Sequence, residues 1–113
     1  MEHARAVIIG GGVGGTSIAY HLTKVGVTDV LLLERHQLTA GTTWHAAGLI
    51  TSAGMADETA LFMSRYSRDL YARLEEETGH STGFRAVGHL SPATNPPRHE
   101  ALRREALWMH GFG

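Results

Sequence analysis

Residues 5–15 read Arg5-Ala6-Val7-Ile8-Ile9-Gly10-Gly11-Gly12-Val13-Gly14-Gly15, and this stretch decides the fold. Ala6 to Ile9 is a short apolar run rich in β-branched residues, the pattern of a buried parallel strand. Gly10, Gly12 and Gly15 follow at the G-x-G-x-x-G spacing. In that spacing the first glycine permits a tight turn and the second lets a pyrophosphate approach the backbone. The third lets the following helix pack closely on the strand. A helix that starts here turns free N–H groups and a positive dipole end toward phosphates. The next apolar run, Val30 to Leu33, is followed by Glu34, where a carboxylate can accept hydrogen bonds from an adenosine ribose. Strand, glycine turn, helix, strand and acid together predict an α/β fold of Rossmann type, a βαβ dinucleotide-binding unit. Its two strands should lie parallel and side by side, joined by a right-handed crossover.

Outward from that unit, the first helix is expected over 13–25, with Ile18, Ala19, Leu22 and Val25 as its apolar stripe and Gly26 as its stop. The second strand is expected over 29–33. Arg35, next to Glu34, can lie against an adenine face or point into water. Residues 37–54 read QLTAGTTWHAAGLITSAG, small and apolar with no amphipathic period, and 37–56 hold no Asp, Glu, Lys or Arg. A plain surface loop usually carries charge, so this run is expected to lie against a ligand or another part of the protein. Thr42 and Thr43 can donate hydroxyl and amide hydrogen bonds to phosphate. A long helix should span 57–78, with Asp57 as N-cap and Gly79 as stop. Phe62, Tyr66, Leu70 and Leu74 would form its core stripe, and Arg65/Asp69 and Asp69/Arg73 would pair on its exposed side. Residues 84–93 alternate loosely, as one strand or two short ones broken near Gly88. Asn95-Pro96-Pro97 opens a final helix, with Leu102, Ala106 and Met109 facing inward.

The chain has 113 residues, enough for one small domain. A complete dinucleotide fold with a substrate site needs more strands, so a partial protein is expected. The net charge is -1, with 10 basic and 11 acidic residues, which gives no electrostatic case for nucleic acid or an anionic membrane. Cysteine is absent, so there is no disulfide framework or thiolate metal site. The eight histidines are scattered, none in a ligand frame, and no metal site is expected. The first strand begins within about five residues of Met1, leaving no room for a targeting peptide, and no apolar run could span a bilayer. A cytoplasmic protein with a small-molecule substrate is the expectation.

The run Leu38-Thr39-Ala40-Gly41-Thr42-Thr43-Trp44-His45-Ala46-Ala47-Gly48-Leu49, with the glycine turn and Glu34-Arg35, resembles the FAD-dependent amine oxidoreductases of the D-amino acid oxidase type. The likeness is strongest to the dimethylglycine and sarcosine dehydrogenase group. Leu74 to Gly79, Gly83-Phe84 and Gly88-His89-Leu90 share it, though His89 stands where the family often has serine, and Ile50 to Ala56 matches no pattern. The resemblance implies FAD as cofactor, carried covalently on His45 through the 8α carbon of the isoalloxazine ring. It implies flavin contacts at Val13 and Gly14, at Glu34 and Arg35, and at Gly41, Thr42, Thr43, Trp44, His45, Ala46, Ala47, Gly48 and Leu49. It makes residues 1–56 the FAD-binding unit with its flavin loop, and residues 57–113 the approach to a substrate domain. The implied reaction oxidises an N-methylated glycine or a related secondary or tertiary amine, with hydride passing to flavin N5. The product imine would hydrolyse or hand its one-carbon unit to tetrahydrofolate, and electrons would leave to oxygen or an electron-transfer flavoprotein. The resemblance puts the substrate-binding residues beyond Gly113. No catalytic acid or base is therefore assigned here, and this stretch alone is expected to be inactive. Two other identities fit the residues: a non-covalent FAD amino-acid oxidoreductase, and a stand-alone nucleotide-binding module without redox activity.

Overall fold

The computed structural model describes residues 3–55 and 57–112. Ala56 and Gly113, at the expected segment ends, lie outside the described residues. The chain divides into two compact units, Met1–Leu49 and Ile50–Gly113.

In the first unit, strand β1 (Ala6–Ile9), helix α1 (Val13–Lys24) and strand β2 (Val30–Leu33) follow in order. The strands pair parallel, Ala6 opposite Val30 through Ile9 opposite Leu33. Below the ladder, the Asp29 carbonyl accepts from the N–H groups of Arg5 and Ala6 at 3.1 and 3.2 Å; above it, Gly10 N–H donates to the Leu33 carbonyl at 2.8 Å. Helix α1 ends as expected at Gly26, whose φ of 86° suits a residue without Cβ. Gly26 N–H donates to Thr23 O and Val27 N–H to Leu22 O, which together make a Schellman closure.

The sheet differs from the expected fully buried strands. Ile8 is buried, yet Ile9 is 89% exposed and Val7, Leu31 and Leu33 are exposed as well. Successive strand residues point to opposite faces, and α1 covers one face only. The narrowness of this sheet also corrects the helix stripe. Ala19 and Leu22 are half-buried, whereas Ile18 and Val25 are exposed. Two strands are too narrow to cover the flank on which Ile18 and Val25 stand, and those two residues border a shallow apolar groove with Ser17, His21 and Leu22.

In the second unit, helix α2 (Glu58–Thr78) starts where expected: the Asp57 carboxylate accepts from Ala60 N–H at 2.9 Å. It ends at the left-handed Gly79. Its covered face is not the single stripe Phe62–Tyr66–Leu70–Leu74. Leu61 is 2% exposed and Phe62 70% exposed, with Tyr66 exposed too, while Leu70 is buried and Leu74 half-buried. The covered face turns along the helix because different segments meet its two halves. Near the start, the Ser64 hydroxyl donates to the Thr51 carbonyl; further on, the Tyr71 ring lies 6.4 Å from the Phe84 ring. The ion pairs also shift: Asp69 pairs with its neighbour Arg68 at 2.7 Å and Arg73 with Glu77 at 3.1 Å, and the Arg65 guanidinium donates to the Phe112 carbonyl.

Residues 84–93 form no strand. A strand needs a partner for its N–H and C=O groups, and none lies beside this segment among the described residues. Its Val87 and Leu90 side chains stay exposed. Helix α3 (Pro96–His110) begins as expected, with the Asn95 side chain accepting from Arg98 N–H at 2.8 Å and Pro96-Pro97 in the first turn. Leu102 and Met109 are half-buried, but Ala106 is exposed and Glu105 takes its place. The Glu105 carboxylate accepts from Gly54 N–H at 2.8 Å.

Candidate dinucleotide-binding site

The three motif glycines are needed for different reasons. Gly10 has φ 107°, a conformation that side chains oppose. A Cβ on Gly15 would collide with the Gly10 carbonyl oxygen and crowd Ile8, so the helix-against-strand role read from the spacing holds. A Cβ on Gly12 would stand 3.0 Å from the Thr43 hydroxyl oxygen, and one on Gly14 would meet nothing within 4 Å. The start of α1 therefore carries glycine at 12, 14 and 15, with the Val13 side chain exposed and the Thr43 hydroxyl beside Gly12.

That helix start has no cap of its own, since Gly12 occupies the N-cap position, and no acid sits in its first turn. Its partner comes from 30 residues further on: Val13 N–H donates to Thr43 Oγ1 at 2.9 Å. Thr16 Oγ1 donates to the Gly12 carbonyl at 3.0 Å. Thr43 sits in a single 3₁₀ turn, Thr42–His45, which brings the threonine run to the mouth of α1. In that turn the Trp44 and His45 rings lie 3.9 Å apart, tilted by 34°.

Glu34 stands at the end of β2, half-buried beside the turn. Its Oε2 accepts from Gly11 N–H at 2.7 Å and its Oε1 from His36 N–H at 2.9 Å. The Gly11 bond, then the His36 bond, holds its carboxyl below the usual glutamate value, against a small opposing effect of burial. Arg35 is exposed, and it makes no ion pair among the described residues.

The structure thus brings Gly10, Gly12, Val13, Gly15, Glu34 and Thr43 together around one turn. Gly41, Thr42, Trp44, His45, Ala46, Ala47, Gly48 and Leu49 follow as an exposed segment, with Trp44 66% and Leu49 84% exposed. The sequence of the 37–54 run predicts contact with a ligand or another part of the protein; among the described residues Thr43 and 50–53 are half-buried, and the rest of 41–49 is exposed. Its residues are small or apolar and carry no charge, so they bring few polar groups that could fold the segment onto itself. Gly11 was not singled out from the sequence, although the structure buries it between Glu34 and Leu38. The run of three consecutive glycines was the available signal, because the motif itself requires only two of them.

A glycine-rich helix start without acids, capped in part by Thr43 and set next to a backbone-held carboxylate, fits the pyrophosphate and ribose of a dinucleotide. Residues 5–113 match the family model described as FAD dependent oxidoreductase. The chain belongs to that family. Within it, the chain is 49% identical over 100 residues to rat dimethylglycine dehydrogenase, covering 86% of this chain and 11% of that protein. It is 45% identical over 100 residues to the formaldehyde-forming 4-methylaminobutanoate oxidase of Paenarthrobacter nicotinovorans, covering 88% and 12%. It is 44% identical over 101 residues to the mouse pyruvate dehydrogenase phosphatase regulatory subunit, covering 89% and 11%. The chain spans about a tenth of the length of these relatives. The resemblance to FAD-dependent oxidoreductases is thereby established, as is a Rossmann-like FAD-binding fold, with which the parallel βαβ unit is consistent.

Proposed function

We propose that this chain carries the FAD-binding part of an oxidoreductase that acts on N-methylated amino acids such as dimethylglycine or sarcosine. The observation that carries the proposal is the joined turn, where the mouth of α1, Thr43 and Glu34 meet in a chain of the FAD-dependent family. The two enzyme relatives point to the substrate class. Their named substrates share a methylated nitrogen on a carboxylic acid. Bound FAD would supply the two-electron oxidant, taking hydride from the N-methyl carbon at flavin N5. The chain's own residues would do the holding. Gly12 and Gly14, beside the Val13 N–H that Thr43 holds, would receive the pyrophosphate, Glu34 would accept from the ribose, and the exposed 41–49 segment would contact the flavin, with His45 as its covalent attachment point. Hydrolysis of the oxidised amine, or transfer of its one-carbon unit to tetrahydrofolate, and re-oxidation by oxygen or an electron-transfer flavoprotein complete the proposed cycle.

Acid precipitation tests the covalent link. A pellet that stays yellow, with a mass raised by one FAD mapped to His45, and a white pellet from His45→Ala, are the expected results. A white pellet from the unaltered chain with FAD in the supernatant would move the flavin to non-covalent binding. The similarity to a phosphatase regulatory subunit supports a second reading, a nucleotide-binding module without redox activity. That reading predicts tight adenine-nucleotide binding and no retained flavin.

A further inference from the structure

We propose that Glu34 is a positioning residue for the phosphate-binding turn in addition to its role toward ribose, acting as a brace on Gly11. The proposal rests on the nucleotide-binding reading of this site. Gly11 is held on both sides of its residue. Its N–H donates to Glu34 Oε2 at 2.7 Å, and its carbonyl accepts from Thr39 N–H at 3.0 Å. A Cβ at this position would stand 2.6 Å from Leu38 Cδ2 and 3.1 and 3.2 Å from the Glu34 Cβ and Cγ. The segment after β2 therefore closes over Gly11, and it does so through a strained residue. Thr39 is β-branched yet has φ 65°, alone among the non-glycine described residues, a conformation that persists only where surrounding contacts hold it.

The brace leaves room for ribose. Each carboxylate oxygen has two lone-pair sites, and each accepts one backbone N–H here. One acceptor site per oxygen remains for the ribose hydroxyls. Removing the carboxylate does two things: it deletes the ribose acceptor, and it leaves the Gly11 N–H without its partner in a part-buried position. The second effect loosens the turn between Gly10 and Gly12 that sets the start of α1, where the Gly12 and Gly14 N–H groups would meet phosphate while Val13 N–H is held by Thr43. A residue that only recognised ribose would have no effect on a nucleotide lacking ribose hydroxyls.

Calorimetric titration of the 113-residue chain with ADP and with 2′,3′-dideoxy-ADP separates these roles. Glu34→Ala is expected to weaken dideoxy-ADP binding by about tenfold, the scale of one hydrogen bond to a charged group. ADP binding should fall further. Glu34→Gln keeps a side-chain oxygen for Gly11 N–H, and it should hold dideoxy-ADP within about twofold of the unaltered chain while still losing affinity for ADP. Equal dideoxy-ADP affinity in the unaltered chain and Glu34→Ala would overturn the proposal. Circular dichroism checks folding. If the alanine variant does not fold, the Gly11 amide proton decides: in the unaltered chain its NMR shift should follow the Glu34 titration, and a shift indifferent to that titration overturns the brace. Binding of neither nucleotide by the unaltered chain would instead remove the nucleotide-binding reading, and the brace's function with it, even where Gly11 follows Glu34.

Discussion

The glycine turn at 10–16 and the threonine–tryptophan–histidine segment at 41–49 both looked ligand-facing, yet the structure treats them differently. Around the turn, Gly10, Gly11, Gly12 and Gly15 each have a backbone geometry or a neighbour that explains the glycine, and Glu34, Thr39 and Thr43 tie the loop down. The 41–49 segment holds one 3₁₀ turn and otherwise stands exposed. A turn shaped by sterics and a few backbone bonds is specified within the βαβ unit. A segment of small uncharged residues has no such internal instructions, so whatever lies over it must supply its shape.

The largest effect that would break this contrast comes from Gly15→Ala. Its Cβ meets the Gly10 carbonyl, which is backbone and cannot swing aside. A loss of about 2–3 kcal/mol is expected from overpacking, read from the denaturant midpoint at unchanged slope. An unchanged midpoint would mean the turn is looser than its contacts imply. Next comes Gly11→Ala, with about 1–2 kcal/mol expected, because the nearest atom in the way is the far end of the flexible Leu38 side chain, with the Glu34 Cβ and Cγ at 3.1 and 3.2 Å giving by less. Leu38→Ala in the same chain should restore most of that loss, which a double-mutant cycle would show.

A pH series sharpens the role of Glu34. Its folded pKa lies below the ordinary 4.5 because Gly11 and His36 N–H groups bond the charged form. The stability it contributes is therefore full above the unfolded value and is lost as pH falls through the lowered folded value. Glu34→Gln carries no such titration. The stability difference between the two chains should be constant well above pH 4.5 and shrink as pH falls below it. A difference that stays level across that range would show that the carboxylate is unbonded. The smallest effect belongs to the loop: Trp44→Ala, at an exposed site, should shift stability by no more than about 0.5 kcal/mol. A loss several times larger would mean the segment is held by the fold after all.

Much of the site was legible because its rules are local. The spacing of Gly10, Gly12 and Gly15 implies a turn, and the acid after the second apolar run implies a ribose acceptor. The helix caps at Asp57 and Asn95 also follow from short-range hydrogen bonds. Where the expectations failed, coverage was the issue. Ile9, Ile18 and Phe62 are apolar at positions whose period suggests a core, but they stay exposed among the described residues. Periodicity shows which residues share a face and says nothing of what packs on that face. Residues 84–93 failed for a related reason, since a strand exists only with a partner for its ladder.

The sequence by itself determined the βαβ order, the parallel pairing, the helix starts and the three motif glycines, because each depends on chain neighbours and on steric limits within a few residues. Only the tertiary structure decided that Gly11 is clasped by Glu34, Leu38 and Thr39, that Thr43 caps α1 from 30 residues away, and that the covered face of α2 turns along its length. Those outcomes depend on distances between residues far apart in the chain, and no spacing rule in the sequence carries that information.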